Sequence, residues 1–279
     1  MWTRIISGLI GIVAASFIIQ MGGLLFTVAT IVLAFIAWRE YVSAFKHKNI
    51  NLPGPWGAGI VTFMILCVYS SGATGLNTAL MPVMIALMMI FFKMIFDHKT
   101  FSVEDACLTL AGVIYIAVPF YHLLSLRLLG DDTILIQNSI IGNISIGCAL
   151  IWLTCIGTWA SDTFAYFVGC SIGKHRLCPE ISPKKSIEGF IGGIIGTMIC
   201  MGALGVYFGF DLIIMLVLGF WVAVIGTLGD LVESSFKRYV GIKDSGSLIP
   251  GHGGVLDRFD SLLFTAPLVY YIAVFMLYA

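Results

Sequence analysis

Charged residues are scarce in this chain. Only 11% of its 279 residues are Asp, Glu, Lys or Arg, whereas 59% are hydrophobic. A soluble domain carries about 25% charged residues, so the composition excludes a water-soluble fold. A surface solvated by lipid requires helices or a closed barrel, because backbone polar groups must then be satisfied internally. The apolar runs lack the two-residue alternation of barrel strands, and we predict an all-α, polytopic integral membrane protein.

Several other features are missing. Neither sign of charge is in excess, since 15 Lys and Arg balance 15 Asp and Glu. The net charge therefore indicates no class of partner, and we predict no binding to nucleic acid. The seven cysteines form no Cys-x-x-Cys motif. No cleavage site follows the first apolar run, so we interpret that run as a retained helix. No linker indicates a soluble second domain. We predict one membrane domain over 1–279, with structural, dimer- or lipid-facing helices in 1–130 and a catalytic half in 131–279.

Long apolar segments make up most of the chain. We predict about nine membrane-spanning helices, at 4–19, 22–45, 55–71, 76–96, 104–125, 140–173, 187–210, 212–239 and 260–278. The first two segments are joined at Gln20–Gly23 and could also form one bent helix. Turn-forming residues separate the others.

The distribution of Lys and Arg predicts the orientation. With the N-terminus in the cytoplasm and alternating sides, all but one of the 15 Lys and Arg residues fall on the inner side, and only Arg127 falls on the outer side. Positive residues stay cytoplasmic in membrane proteins. We therefore predict nine helices with the N-terminus inside and the C-terminus outside. Both polar loops, 174–186 and 240–259, then face the cytoplasm.

Asp162 lies inside a long apolar segment. An ionised carboxylate facing lipid is costly, so the side chain is expected to face a protein interior or a wet cavity. Tyr166 and Gly169 share its helical face. A role in an active site is the functional interpretation; an interhelical hydrogen bond or ion pair is the structural one.

The segment 181–196 predicts the start of a helix. Ser186 is a candidate N-cap, with Glu188 in the first turn. Lys184 and Lys185 precede this N-terminus, where exposed N–H groups favour an anion, although both lysines could simply anchor the chain at the membrane surface. A four-residue glycine spacing indicates a close helix–helix contact; it involves Gly189, Gly192, Gly193 and Gly196.

Two helix ends carry acidic faces. Asp230, Glu233, Ser234 and Lys237 fall on one face of the eighth segment. Asp257, Asp260 and Ser261 do the same at the start of the ninth. Oxygen ligands of this kind suit Mg²⁺, and carboxylates held together without a cation would repel one another. The structural alternative is a set of salt bridges among Asp230, Glu233, Lys237 and Arg258.

A glycine-rich turn, Pro250-Gly-His-Gly-Gly254, separates these two faces. Glycine lets backbone N–H groups approach an anion closely, although any tight turn at a membrane surface could have this composition. His252 could be a donor, a proton shuttle or a structural residue. Together, cations, carboxylates and glycines at a membrane surface indicate phosphoryl or nucleotidyl transfer.

The C-terminal half resembles a known family. The run Ser235-Phe-Lys-Arg-x4-Lys-Asp-x-Gly-x2-Ile-Pro-Gly-His-Gly-Gly-Val-x-Asp-Arg-Phe-Asp260 is similar to the signature of bacterial phosphatidate cytidylyltransferases. The resemblance extends to Ser161-Asp-Thr-x-Ala-Tyr-x2-Gly169, to Ser182-Pro-Lys-Lys-Ser-x-Glu-Gly189 and to Gly229-Asp-Leu-x-Glu-Ser234. The N-terminal helices resemble the family only in size and hydropathy.

The resemblance implies a reaction between CTP and phosphatidic acid that yields CDP-diacylglycerol and pyrophosphate. It implies a bacterial inner membrane, a site facing the cytoplasm, Mg²⁺ together with a monovalent cation such as K⁺, and a homodimer. No enzyme nucleophile is required, because the lipid phosphate is already an anion; the enzyme positions the substrates and neutralises charge.

On this resemblance we assign roles. The metal ligands are Asp230 and Asp257, with Asp260 and Asp162 as further candidates. The catalytic set is Asp230, Asp257, Lys185, Asp162, Lys237 and Arg258. Phosphates would be held by Lys185, Lys237, Arg238 and Lys243, and Arg258 would bind phosphate or orient the acids. The turn Gly251–Gly254 would cradle the triphosphate. The remaining substrate-binding candidates are Lys184, Ser186, Glu233, Ser234, Asp244 and His252.

Two rivals stay open. A CTP-dependent lipid kinase would release CDP instead of pyrophosphate. A transporter would place charges near the membrane midplane and often shows inverted repeats, whereas this chain shows no repeat and gathers its charges at one face.

Overall fold

The computed structural model describes residues 2–71, 76–130, 134–138, 142–248 and 253–278. These residues form nine helices and two short hairpins. In chain order the elements are α1 (Trp2–Met21), α2 (Gly23–Lys46), α3 (Gly54–Ser71), α4 (Leu76–Phe96), α5 (Val103–Arg127), β1 (Leu135–Asn138), β2 (Gly142–Ser145), α6 (Ile146–Ile172), β3 (Arg176–Cys178), β4 (Ser182–Ser186), α7 (Ile187–Tyr207), α8 (Leu212–Val240) and α9 (Leu256–Tyr278).

Five helices in the described ranges are long and apolar enough to cross a membrane. They are α2, α5, α7, α8 and the Leu256–Leu277 part of α9. Shorter apolar helical stretches lie at Gly8–Met21, Gly54–Ser70 and Leu80–Phe96. The mostly helical structure agrees with the predicted helical membrane protein, while the number of spans and the sides of the termini stay predictions.

The chain divides into two compact units. The first comprises Met1–Leu129 with Tyr239–Arg258, and the second comprises Gly130–Arg238 with Phe259–Ala279. The segment Tyr239–Arg258, which the sequence places in the catalytic half, therefore groups with the N-terminal helices.

In the first unit, α1 and α2 are separate helices with a break at Gly22. Its φ of 59° and ψ of −147° lie in a region open to glycine. A Cβ atom at this position would lie 2.0 Å from Nη2 of Arg127. The buried Arg127 donates from Nε to the carbonyl oxygen of Ile19 over 2.9 Å. A cation is favourable at a helix C-terminus, so Arg127 stabilises the end of α1.

Aromatic side chains of α2 set its packing in the first unit. Tyr41 donates its hydroxyl to the carbonyl oxygen of Leu108 on α5 over 2.9 Å. Gly112 makes room for the ring, since a Cβ there would lie 2.3 Å from Cε1 of Tyr41. Trp38 is fully buried and donates from Nε1 to the carbonyl oxygen of Gly54 over 2.7 Å. These contacts orient α2 against α3 and α5.

In the second unit, α6 and α7 pack closely along a glycine face. A Cβ at Gly192 would lie 2.5 Å from Cγ2 of Val168, and one at Gly196 would lie 2.2 Å from Cγ of Phe164. The close helix–helix contact predicted from the four glycines of this segment is therefore confirmed.

Two antiparallel hairpins of the second unit are absent from the all-α prediction. β1 pairs with β2, and β3 pairs with β4. β4 leads directly into α7, where the Ser186 side chain accepts a hydrogen bond from the Gly189 N–H over 3.1 Å. The predicted N-cap is confirmed. The strands are only three to five residues long, too short for a pattern of apolar residues to indicate them.

Candidate active site

The predicted site residues are divided between the two compact units. Lys243, Asp244, Gly253, Gly254, Asp257 and Arg258 belong to the first. The second contains Asp162, Lys184, Lys185, Ser186, Asp230, Glu233, Ser234, Lys237, Arg238 and Asp260. Gly251 and His252 lie outside the described residues.

Three carboxylates of the second unit form an acidic cluster, consisting of Asp162 on α6, Asp230 on α8 and Asp260 near the start of α9. The charges of Asp230 and Asp162 both act on the half-buried carboxyl group of Asp260, as does that of Lys237. Gly229 allows α8 to approach α9 closely, because a Cβ there would lie 2.7 Å from the carbonyl oxygen of Asp260. Two predicted metal ligands, Asp230 and Asp162, therefore lie within electrostatic range of a third, Asp260.

Asp230 has a protein partner at each carboxylate oxygen. Its Oδ2 atom lies 2.6 Å from Nζ of Lys185, and its Oδ1 atom accepts a hydrogen bond from the Ser234 hydroxyl over 3.2 Å. Ser234 is the residue four positions along the same helical face, as the spacing predicts. Lys185 comes from the end of β4. One predicted metal ligand and one predicted phosphate-binding cation are thus in direct contact.

Glu233 and Lys237 form an ion pair along α8, one turn apart. Their side chains are only 2% and 14% exposed, so water does little to screen the pair. This contact belongs to the salt bridges that the sequence leaves open as a structural alternative. In this structure Lys237 neutralises a buried acid and also acts on Asp260.

Glu188, in the first turn of α7, binds the segment that connects α6 to β3. Its carboxylate accepts hydrogen bonds from the backbone N–H groups of Lys174 and His175, and Oε1 lies 2.6 Å from Nδ1 of His175. Arg238, at the end of α8, donates from Nε to the carbonyl oxygen of Ile181 over 3.4 Å. The side chain of Lys184 is exposed. These contacts hold Lys185 and Ser186 at the start of α7.

In the first unit, Asp257 organises the described residues around the start of α9, namely 245–248 and 253–257, which we call the signature loop. Its Oδ2 atom accepts hydrogen bonds from the N–H of Ser245 at 2.8 Å, the Ser245 hydroxyl at 2.9 Å and the N–H of Gly254 at 2.8 Å. Gly253 has a φ of 83°. The N–H of Gly254, predicted to cradle a triphosphate, is therefore donated to Asp257. Lys243, Asp244 and Arg258 are exposed.

Glu40 on α2 is a second acid at this loop and was not among the predicted site residues. Its Oε1 atom accepts the N–H of Val255 and its Oε2 atom the N–H of Leu256, each over 2.9 Å. The signal was present, since Glu40 is an acid within an apolar segment. The rule that singles out Asp162 applies equally to it.

The described residues contain no group of three or more His, Cys, Asp or Glu side chains arranged to hold a metal ion. The acidic cluster instead has Asp230 engaged by Lys185 and Ser234. The carboxylate oxygens of the cluster are nevertheless the donors that Mg²⁺ prefers.

Comparison with known proteins finds one family over nearly the whole chain. A family model described as "Cytidylyltransferase family" matches residues 2–276. The chain is 33% identical over 273 residues to the phosphatidate cytidylyltransferase of Bacillus subtilis (strain 168), covering 96% of each. It is 32% identical to the protein of that name from Staphylococcus saprophyticus and 34% identical to the one from Staphylococcus aureus (strain COL), covering 96% of this chain and 97% of each relative.

Proposed function

Because this chain belongs to the cytidylyltransferase family, we propose that it transfers CMP from CTP to phosphatidic acid, giving CDP-diacylglycerol and pyrophosphate. The chain is a nucleotidyltransferase. Phosphatidic acid is proposed as the substrate because 96% of the chain is similar to relatives named phosphatidate cytidylyltransferase. That similarity includes the N-terminal helices, where sequence motifs gave no support.

The lipid phosphate would attack the α-phosphorus of CTP, with pyrophosphate leaving. The acceptor is an anion, so the enzyme must overcome repulsion between two phosphates and align them. Lys185 is suited to hold a phosphate, since it lies at the N-terminus of α7, where the helix dipole also favours an anion. Arg238 and Lys184 expose cationic side chains in the same unit. Lys243 and Arg258, exposed in the first unit, stay predicted phosphate ligands.

The acidic cluster offers the carboxylate oxygens that Mg²⁺ prefers as ligands. The charges of Asp162 and Asp230 act on the carboxyl group of Asp260, and a cation would relieve this repulsion. Asp230 and Asp260 would hold the ion, with Asp162 beside them. When bound, Mg²⁺ neutralises phosphate charge and stabilises the attacking and leaving oxygens. Asp257 as a ligand and K⁺ as a second cation stay predictions from the resemblance.

We also propose nine membrane spans, with the N-terminus in the cytoplasm and the C-terminus outside, in a bacterial inner membrane. The asymmetric distribution of Lys and Arg supports this arrangement. It gives cytoplasmic CTP and the lipid head group access to the same face. A homodimer is a further proposal that rests on the resemblance alone.

The test is a product assay with purified protein in detergent–lipid micelles containing CTP, phosphatidic acid and Mg²⁺. We expect CDP-diacylglycerol and pyrophosphate in equal amounts, no pyrophosphate when phosphatidic acid is replaced by diacylglycerol, and loss of turnover with EDTA that added Mg²⁺ restores. Release of CDP in place of pyrophosphate would identify a CTP-dependent lipid kinase and refute the proposal.

A further inference from the structure

Glu40 is a buried acid with no part in the chemistry described above. Only 8% of the residue is exposed, and it lies on a helix long and apolar enough to span a membrane. A carboxylate in such surroundings is costly unless hydrogen bonds or charges compensate it. Here the compensation comes from backbone N–H groups of a segment 215 and 216 positions away in the chain. A contact this distant in sequence ties two parts of the first unit together.

We propose that Glu40 is a positioning residue that holds the signature loop, and with it Asp257, in the conformation needed for turnover. The proposal rests on the function proposed above only for its kinetic consequence. The structural part, that Glu40 holds the loop, stands on the contacts of the first unit.

The two carboxylates share the amides at the start of α9. Asp257 accepts the N–H of Gly254, and Glu40 accepts those of Val255 and Leu256. Three consecutive donors are therefore satisfied by side chains that approach from two parts of the chain. Free N–H groups at a helix N-terminus would otherwise need water or an anion. The two contacts of Glu40 hold Val255 and Leu256 against α2.

Ser245 connects the two acids. Its hydroxyl lies 2.9 Å from Oδ2 of Asp257 and 3.3 Å from Oε2 of Glu40. A hydroxyl has one proton to donate, so its position between two acceptors couples them. A change at Glu40 would therefore reach Asp257 through Ser245 as well as through the backbone.

The loop backbone packs directly against the Glu40 carboxylate. A Cβ atom on Gly246 or on Gly254 would lie 2.6 Å from Oε1 of Glu40. Both glycines thus leave the carboxylate enclosed by main chain. A side chain enclosed in this way fixes the backbone around it, which suits a residue that positions a loop.

The test compares Glu40→Gln with a matched control, Glu104→Gln. Glu104 is an exposed acid in the first turn of α5, within the same unit. Gln at position 40 keeps the size but presents one acceptor oxygen and an NH₂ group to two N–H donors. We expect kcat to fall roughly ten- to a hundredfold, the scale of a lost hydrogen bond to a charged group, with KM for CTP changed less than about threefold. The control should match the wild type.

A second readout is independent of activity. Hydrogen exchange of the backbone amides of Val255 and Leu256, measured by mass spectrometry of peptides covering 243–258, should be faster in Glu40→Gln and unchanged in Glu104→Gln. If the wild type proves not to transfer CMP, the proposed function fails, while this exchange measurement still decides whether Glu40 holds the loop.

Ser245→Ala provides a milder variant should Glu40→Gln fail to fold. It removes the hydroxyl link and leaves the buried carboxylate on its two N–H donors. We expect kcat of Ser245→Ala to fall by roughly three- to tenfold, on the scale of one hydrogen bond. In the double variant with Glu40→Gln, the fall in kcat should be smaller than the product of the two single-variant effects. Unchanged amide exchange in Glu40→Gln would overturn the proposal. So would an unchanged kcat in both variants, or a raised KM with kcat retained.

Discussion

At the scale of single residues, the second unit neutralises its charges in pairs. Lys185 contacts Asp230, and Lys237 contacts Glu233. The Lys237–Glu233 pair is the more buried of the two, and removing one member of a buried pair costs about 3–5 kcal/mol because the other member is left uncompensated. The same side chains that would bind metal and phosphate therefore also stabilise the fold, and a test of function must separate the two roles.

Asp230→Asn makes that separation. The substitution removes the charge but leaves a side chain of the same shape that can still accept from Ser234. We expect turnover to fall by more than about a hundredfold, since a principal cation ligand loses its charge. The midpoint of thermal unfolding in detergent should fall only modestly, because Asp230 is partly exposed.

Asp211→Asn is the matched control for Asp230→Asn. Asp211 lies just before α8 and accepts the N–H groups of Ile213 and Ile214, a role that Asn also fills. Turnover should stay at the wild-type level. Near-normal turnover in Asp230→Asn would remove Asp230 from the metal site.

At the residue scale, the sequence predicted the acidic site residues but not all of the residues that contact them. Helical spacing placed Asp230 and Ser234 on one face, and the structure agrees. It could not pair Asp230 with Lys185, because a contact between β4 and α8 depends on how the chain folds. Glu40 could have been singled out as an acid within an apolar segment, but its partners were unpredictable for the same reason as those of Asp230. Its hydrogen-bond donors are backbone amides, which carry no signal in the sequence.

At the scale of elements, helix packing in both units depends on positions without a side chain. Gly196 lies against the ring of Phe164 in the contact between α6 and α7. Gly59 on α3, by contrast, has no atom within 4 Å of the place a Cβ would occupy. The two glycines therefore predict opposite effects of the same substitution.

Gly196→Ala is expected to destabilise the protein by about 1–3 kcal/mol, the usual range for overpacking a close contact. Gly59→Ala should be neutral or stabilise it by up to about 1 kcal/mol, because alanine favours a helix over glycine. The measurement is the midpoint of unfolding in one detergent for wild type and both variants. Equal shifts in the two variants would contradict the close contact between α6 and α7.

The positions of the helices were predictable from the apolar runs, but the residues at which the helices begin and end were less predictable. The last helix begins at Leu256, whereas the apolar run predicts a start near residue 260. The earlier start follows from Asp257 and Glu40, which accept the amides of residues 254–256. The hairpins β1–β2 and β3–β4 escaped prediction because strands of three to five residues carry little periodicity.

At the scale of the whole molecule, composition and the long apolar runs indicated a helical membrane protein, and the five helices of spanning length in the described ranges agree. The division into two units was not predictable from apolar segments. The signature loop lies far from α2 in the chain, yet it belongs to the unit that contains α2. The N-terminal helices therefore contribute to the environment of Asp257, which their lack of motifs did not indicate.

The central claim is that the chain forms a bond between the α-phosphorus of CTP and a phosphate of the lipid. The most direct test supplies purified protein with phosphatidic acid, Mg²⁺ and CTP labelled with ³²P at either the α or the γ position, and then measures radioactivity in the extracted lipid. We expect the α label to enter the lipid and the γ label to appear only in pyrophosphate. Entry of the γ label into the lipid would contradict the account.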